Sequence, residues 1–247
     1  MELFVDRLDG KAAFMHPDGS FRDILYWEGV KLNKSCVVVK VELGLLYDTN
    51  LGALDDFHEK RAMSSGGSID LRWLPGTVET LSMKDLKLDG TVDVFDLPRG
   101  VESLELDTNR LHGTFAMEGL PVSIHWLNIA RNRFDGSLKL SVALPELRLF
   151  IGHTNRFSGT LECSALPPKI HRLDLSNNGF IGPLSLHAAP SSLRHLNLSE
   201  NNIEQDSIPV TQFMIDSGLF TFDRSKIRAF TAPDGTEHSS EELSWLQ

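Results

Sequence analysis

The sequence predicts a mostly β solenoid of stacked coils, and three observations carry that prediction. The first is a period. Asparagines stand at 109, 132, 155, 178 and 201 and glycines at 90, 113, 136, 159 and 182, each 23 residues after the last, with Gly67 one step earlier. The second is an alternation inside each period, in the paired columns Leu81, Leu104, Leu127, Phe150, Leu173, Leu196 and Met83, Leu106, Ile129, Gly152, Leu175, Leu198. Apolar residues two apart bury one face of a short strand. The third is punctuation: prolines recur at 75, 98, 121, 167 and 190, with Pro145 displaced by one, and leave few or no regular helices. A single coil cannot bury its strand face alone, so coils stack until their interiors form one core.

Composition bounds the rest. The chain has 247 residues, 41% hydrophobic and 23% charged, with a formal charge of −10. Those values exclude wholesale disorder and a collagen-like fibre. The run Cys36-Val37-Val38-Val39, broken by Lys40, is far too short to span a bilayer. The opening Met1-Glu2-Leu3-Phe4-Val5-Asp6 has neither the basic and apolar regions of a signal peptide nor the composition of a transit peptide. Two cysteines, Cys36 and Cys163, make no disulfide scaffold, and the expected location is cytoplasmic and reducing.

Taken in order, residues 1–43 read as an N-terminal cap, 44–73 as an irregular first coil with an inserted loop, 74–212 as the 23-residue repeats, and 213–247 as a capping coil with a short helix. All four belong to one continuous domain. The insertion is polar and ends Ser64-Ser65-Gly66-Gly67, the composition of a projecting loop. Within each repeat the asparagine satisfies backbone groups where the strand turns inward. The glycine four residues later supplies a positive φ or a close approach. Segments such as Gly90-Thr91-Val92-Asp93-Val94 alternate again and predict a second short strand after that turn. Phe134, Phe157 and Phe180 predict a stacked aromatic spine, and Cys163 an inert thiol on an inward strand position. Near the end, Leu219 to Ile227 reads as a last coil shifted by one, Pro233-Asp234-Gly235 as a turn, and Ser239 to Leu246 as a helix whose Trp245 and Leu246 close the edge.

The run Ile170-His171-Arg172-Leu173-Asp174-Leu175-Ser176-Asn177-Asn178-Gly179-Phe180 resembles the leucine-rich repeat signature. The resemblance covers residues 74 to 203 closely and implies a curved solenoid with a parallel sheet on its concave side. Tyr26-Trp27-Glu28-Gly29-Val30-Lys31-Leu32, with Val39 to Leu43, resembles the cap of plant-like members. Extracellular relatives carry a disulfide-bonded cysteine where this chain has Leu32, a departure that agrees with a reducing compartment. The Leu-Pro and Gly-Thr punctuation also resembles the leucine-rich repeat proteins of kinetoplastid protists. Asn33-Lys34-Ser35 and Asn197-Leu198-Ser199 match the glycosylation sequon, which chance explains equally well.

No catalytic motif is present: the sequence holds no phosphate-binding glycine loop, no His-Glu-x-x-His, no Cys-x-x-Cys and no Gly-x-Ser-x-Gly. The expectation is therefore a non-enzyme with no cofactor, no metal and no small-molecule substrate. His153 and His195 fall on non-adjacent coils. Outward strand positions are read as Thr80, Ser82, Lys84; Ser103, Glu105, Asp107; Trp126, Asn128, Ala130; Leu149, Ile151, His153; Arg172, Asp174, Ser176; and His195, Asn197, Ser199. An exposed tryptophan beside two aliphatic residues and an arginine has the composition of an interface hot spot. The expected partner-binding set is Trp126, Asn128, Leu149, Ile151, His153, Arg172, Asp174 and His195. The competing arrangement has the displaced Pro145 and the Gly152 coil turning Leu149 or Ile151 inward.

Lys87, Arg110, Arg133 and Arg156 recur at the same period and, with Lys84 and Arg131, predict a basic rim. The expected function is protein–protein interaction through the concave face, the partner being another protein, with the rim steering association. The alternative is a permanent subunit of a large ribonucleoprotein or cytoskeletal assembly, its rim on RNA phosphates or acidic protein surfaces. A secreted ectodomain is disfavoured by the missing leader and cap cysteine. Charge is unevenly spread: residues 74–203 hold 14 acids and 12 bases, residues 204–247 eight acids and three bases.

Overall fold

The structure, a computed structural model, describes residues 1–44, 66–140, 142–212, 220–223 and 226–239. The predicted inserted loop and the predicted C-terminal helix with Trp245 and Leu246 lie outside the described residues. The chain opens with a one-turn helix, α1 (Glu2–Val5), followed by a hairpin of β1 (Val30–Leu32) and β2 (Val38–Glu42). Each coil then contributes two strands. These are β3 (Thr80–Ser82) with β4 (Asp89–Gly90), β5 (Ser103–Glu105) with β6 (Arg110–Thr114), and β7 (Trp126–Asn128) with β8 (Arg133–Ser137). They continue as β9 (Leu149–Ile151) with β10 (Arg156–Thr160), β11 (Arg172–Asp174) with β12 (Gly179–Ile181), and β13 (His195–Asn197) with β14 (Gln205–Pro209). The described chain ends with β15 (Phe220–Thr221), β16 (Ile227–Thr231) and β17 (Glu237–Ser239).

The strands form a long sheet ordered β1-β2-β3-β5-β7-β9-β11-β13-β15, a second of β12-β10-β8-β6-β4, and a third of β14-β16-β17. The long sheet is parallel from β2 onward, because each coil returns the chain to the same edge in the same direction. From β3 to β13 its partners are 23 residues apart, as Ser103, Trp126, Leu149, Arg172 and His195 are, while β2 and β3 pair residues 40 apart. Phe220 instead pairs with Leu196, which is the predicted shift by one. The mostly β leucine-rich solenoid expected from the sequence is therefore what forms. No helix among the described residues is long and apolar enough to cross a membrane.

One core runs through the stack, with the two leucine columns buried. Phe134 and Phe157 are stacked with ring centroids 6.3 Å apart and planes 8° apart, and Phe157 and Phe180 continue at 6.3 Å and 19°. Phe115 extends this spine edge-on. Trp27 anchors the N-terminal end against Phe14 and Phe21, its Nε1 donating to the Arg22 carbonyl at 2.9 Å.

The asparagine column is an internal hydrogen-bond ladder. Asn132 Oδ1 accepts the N–H of Leu111 at 3.0 Å, while its Nδ2 donates to the carbonyls of Leu106, Ile129 and Ala130. Asn109, Asn155, Asn178 and Asn201 repeat the pattern. The glycines at 90, 113, 136 and 159 have φ between 76° and 98°, where a Cβ is disfavoured.

The second strands differ from expectation. β6, β8 and β10 run through the glycine and β4 ends on it, rather than starting after it, and alternating residues that follow form 3₁₀ turns in several coils. Such turns occur at Leu71–Trp73, Val94–Asp96, Met117–Gly119 and Cys163–Ala165. Asp70 and Asp93 explain two of them, since their side chains accept the N–H groups of Arg72 and Phe95 and hold the chain in a turn. Cys163 consequently opens a turn rather than lying in a strand, yet it is buried, and that burial pushes its thiol up to about 12. Cys36 and Cys163 are both free.

Candidate functional site

The long sheet positions the predicted anchor by register. Trp126 pairs with Leu149 and Leu149 with Arg172, while Asn128 pairs with Ile151 and Ile151 with Asp174. Neighbouring strands lie about 4.8 Å apart, so these side chains form one patch. Trp126 is 42% exposed, Arg172 and His195 are exposed, and Leu149 and Ile151 are half-buried on the outer face. Phe150 between them is buried. The coil has therefore not turned over. Gly152 explains why it did not need to: a Cβ there would stand 3.0 Å from Leu175 Cδ2 and 3.1 Å from the Phe150 ring, so neighbours already fill its leucine position.

Two residues read as outward are not. Ala130 is buried at the bend out of β7, and Ser82 is buried with its hydroxyl donating to Glu105 Oε2 at 3.2 Å. Three polar members of the outer face serve the turn that follows their own strand. Asn128 accepts the Ala130 N–H, Asp174 accepts the N–H and hydroxyl of Ser176, and Asn197 does the same with Ser199. Asp174 also lies 4.0 Å from Arg172. His153 Nδ1 is 3.0 Å from the Thr154 hydroxyl. A depression of about 160 Å³ opens beside Arg172, Asp174, His195, Asn197 and Thr221.

The basic rim is not one uniform ladder. Lys87, Arg110, Arg133 and Arg156 are exposed as predicted. The second sheet, however, pairs residues 21 apart, so Asp89 faces Arg110, His112 faces Arg133 and Asp135 faces Arg156. His112 Nε2 stands 3.5 Å from Asp89 Oδ1. Lys84 belongs to the other side, 3.7 Å from Glu105, and Arg131 is exposed in the preceding bend with φ 54°.

Sequence reading overlooked a column one residue before the long-sheet strands: Glu79, Glu102, His125, Arg148, His171 and Arg194. Each N–H donates to the carbonyl of the previous member, from Glu102 on Glu79 at 2.7 Å to Arg194 on His171 at 2.8 Å. The column is thus an extension of the sheet along its entry edge. Five members are exposed and His125 is half-buried. The same 23-residue spacing was the signal that would have found it. Beside it Lys169 donates to Glu146 at 2.6 Å, and that bond, with the charges of His125 and Arg148, lowers the Glu146 carboxyl from its ordinary value. A groove of about 690 Å³ at the N-terminal end, between Leu3, Trp27 and Trp73, was also missed, since Trp73 lies outside the repeat register. Among the described residues no group of three or more histidine, cysteine or carboxylate side chains is placed to hold a metal.

A family model described as Leucine Rich Repeat matches residues 192–213. No curated protein matches the sequence. Among solved structures the chain is similar to a plant ice-binding protein, with a TM-score of 0.60 and 15% identity over 94% of this chain and 78% of that one. It is also similar to the plant peptide hormone receptor RGFR1 in complex with RGF2, with a TM-score of 0.56 and 19% identity over 90% of this chain. This chain covers 32% of that receptor chain. The leucine-rich repeat ectodomain of the receptor kinase SOBIR1 from Arabidopsis thaliana shares 23% identity at a TM-score of 0.45, over 50% of this chain and 71% of that one. At these identities the likeness is one of fold.

Proposed function

We propose that this leucine-rich repeat solenoid is an intracellular protein-interaction module that holds its partner on the long sheet. The observation that carries the reading is the patch at the middle of that sheet, where Trp126, Leu149, Ile151 and Arg172 are brought together by register and left accessible. A folded chain gains nothing by exposing a tryptophan beside two aliphatic residues, whereas an interface gains most of its energy from such a cluster. The intracellular location draws support from the two free cysteines and from Leu32 in the cap. The plant peptide hormone receptor of similar fold is seen in complex with RGF2, and this chain is proposed to use its sheet for a polypeptide likewise. The assembly-subunit reading relied on a continuous basic rim; Asp89 and Asp135 interrupt it, so we do not prefer that reading.

The test is a quantitative pull-down with Trp126→Ala combined with Arg172→Ala. Both side chains project from the surface, so the melting temperature stays at the wild-type value while capture of the partner weakens by about 2 kcal/mol, close to thirtyfold. Capture at wild-type strength by a normally folded double variant would overturn the proposal.

A further inference from the structure

We infer that the C-terminal half of the long sheet, with its entry edge, is a docking surface for an acidic polypeptide segment. The inference rests on the interaction reading above and specifies the partner's chemistry. It begins with the backbone-bonded edge column, whose side chains change sign midway: Glu79 and Glu102 on the first coils, then His125, Arg148, His171 and Arg194. The adjoining sheet column is uncharged on the first coils and turns basic one coil after Arg148. Ser103 gives way to Trp126 and Leu149, and these to Arg172 and His195. Two hydrogen-bonded columns therefore agree on one polarity.

Among the described residues the acids facing this surface are fewer than its bases. Glu146 is engaged by Lys169 at 2.6 Å, and Asp174 is held by Ser176 and lies 4.0 Å from Arg172. Asp223, in the column of Asp107, is engaged by Lys226 at 3.8 Å, so among the described residues three carboxylates face Arg148, Lys169, Arg172, Arg194 and Lys226, before any imidazole is counted. The opposite half carries Glu102, Glu105 and Asp107 with Lys84. The surface is thus dipolar, with the apolar Trp126–Leu149 patch at its neutral crossover.

Geometry then sets the order of the partner's residues. Strands about 4.8 Å apart place His195 about 14 Å from Trp126, which is four to five residues of extended chain at about 3.4 Å each. An apolar side chain seated at Trp126 is accordingly followed, in the direction of the C-terminal coils, by about four residues rich in aspartate or glutamate. Electrostatic complementarity of this kind fixes register and orientation more than affinity.

Fluorescence anisotropy with labelled decaglutamate tests the assignment on the full chain. The chain as a whole is strongly acidic, with a formal charge of −10, so general attraction works against this probe. Decaglutamate is expected to bind at low ionic strength and to be released at about 0.5 M salt, where screening acts over about 4 Å. Arg148→Glu combined with Arg194→Glu is expected to weaken it at least about tenfold, with an unchanged melting temperature. Trp126→Ala leaves decaglutamate within about twofold while weakening partner capture, because the anchor and the charged surface are separate contacts. No binding by the wild type, or equal binding by the charge-reversed variant, overturns the acidic-segment assignment while partner capture still reports on the sheet itself. Tighter binding of a single-stranded oligonucleotide of equal charge would also overturn it, in favour of nucleic-acid phosphates.

Discussion

Asn132 shows what one residue type does when it recurs. Its amide is buried, its oxygen accepts the Leu111 N–H, and its nitrogen is shared among the carbonyls of Leu106, Ile129 and Ala130, joining two successive coils. The asparagine amide carries an acceptor oxygen and two N–H donors on one planar group at the short reach this bend requires. Asn132→Ala leaves a buried N–H and two or more carbonyls without partners, and is expected to cost about 3 kcal/mol in urea unfolding. Asn155→Ala, at a half-buried site with the same bonds, is expected to cost less, because water reaches the orphaned groups. Equal losses at the two positions would mean that the ladder acts through something other than burial. The asparagines were legible in the sequence because a regular spacing needs no knowledge of neighbours. Ser82 and Ala130 were misread because the pull of Glu105 on a hydroxyl, and the sharpness of the bend after β7, depend on contacts across coils.

At the scale of one coil, the segment from Asn132 to Asn155 departs most from the repeat. Its proline is displaced and Gly152 stands where every other coil has a leucine, isoleucine or methionine. Restoring the apparent consensus with Gly152→Leu is expected to destabilise by about 1–3 kcal/mol, since Leu175 and the Phe150 ring occupy that volume and a new side chain forces them off their rotamers. A rise in unfolding free energy would show instead that the coil contains usable space. The same interplay explains which elements could be read in advance. Long-sheet strands follow from alternation alone, and their register equals the period. The second strands carry a register of 21 set by how coils slant past one another, which no within-coil pattern records. Two of the 3₁₀ turns depend on an aspartate side chain capturing a backbone N–H, a bond that competes with the strand. The basic rim is interrupted for this reason, and the entry-edge column lies one residue before each strand, where the apolar alternation carries no signal.

Across the whole molecule, stability is approximately a sum of coil terms and nearest-neighbour interfaces, so the contacts that bind the cap to the first coil govern whether the stack opens from that end. Asp70 is central there. It accepts Arg72 Nε at 2.9 Å and Nη2 at 2.7 Å, meets Arg7 of the cap at 3.4 Å, and Arg72 reaches Asp96 of the next coil at 4.0 Å. The hydrogen bonds from Arg72, its charge and that of Arg7 hold the Asp70 carboxyl well below its ordinary value, at about 2, against the opposing effect of desolvation. A carboxyl whose pKa falls on folding contributes stability that is complete above its unfolded value near 4 and disappears as the pH drops through the folded value. Thermal melts of the wild type and Asp70→Asn should therefore differ by a constant amount at pH 5 and above. That gap should shrink to about half near pH 3 and close at still lower pH, as the wild type loses the charge the variant never had. A gap that persists unchanged through pH 3 would mean that Asp70 holds the cap by shape and neutral hydrogen bonds, leaving the arginines on either side without an electrostatic part in joining cap to coil.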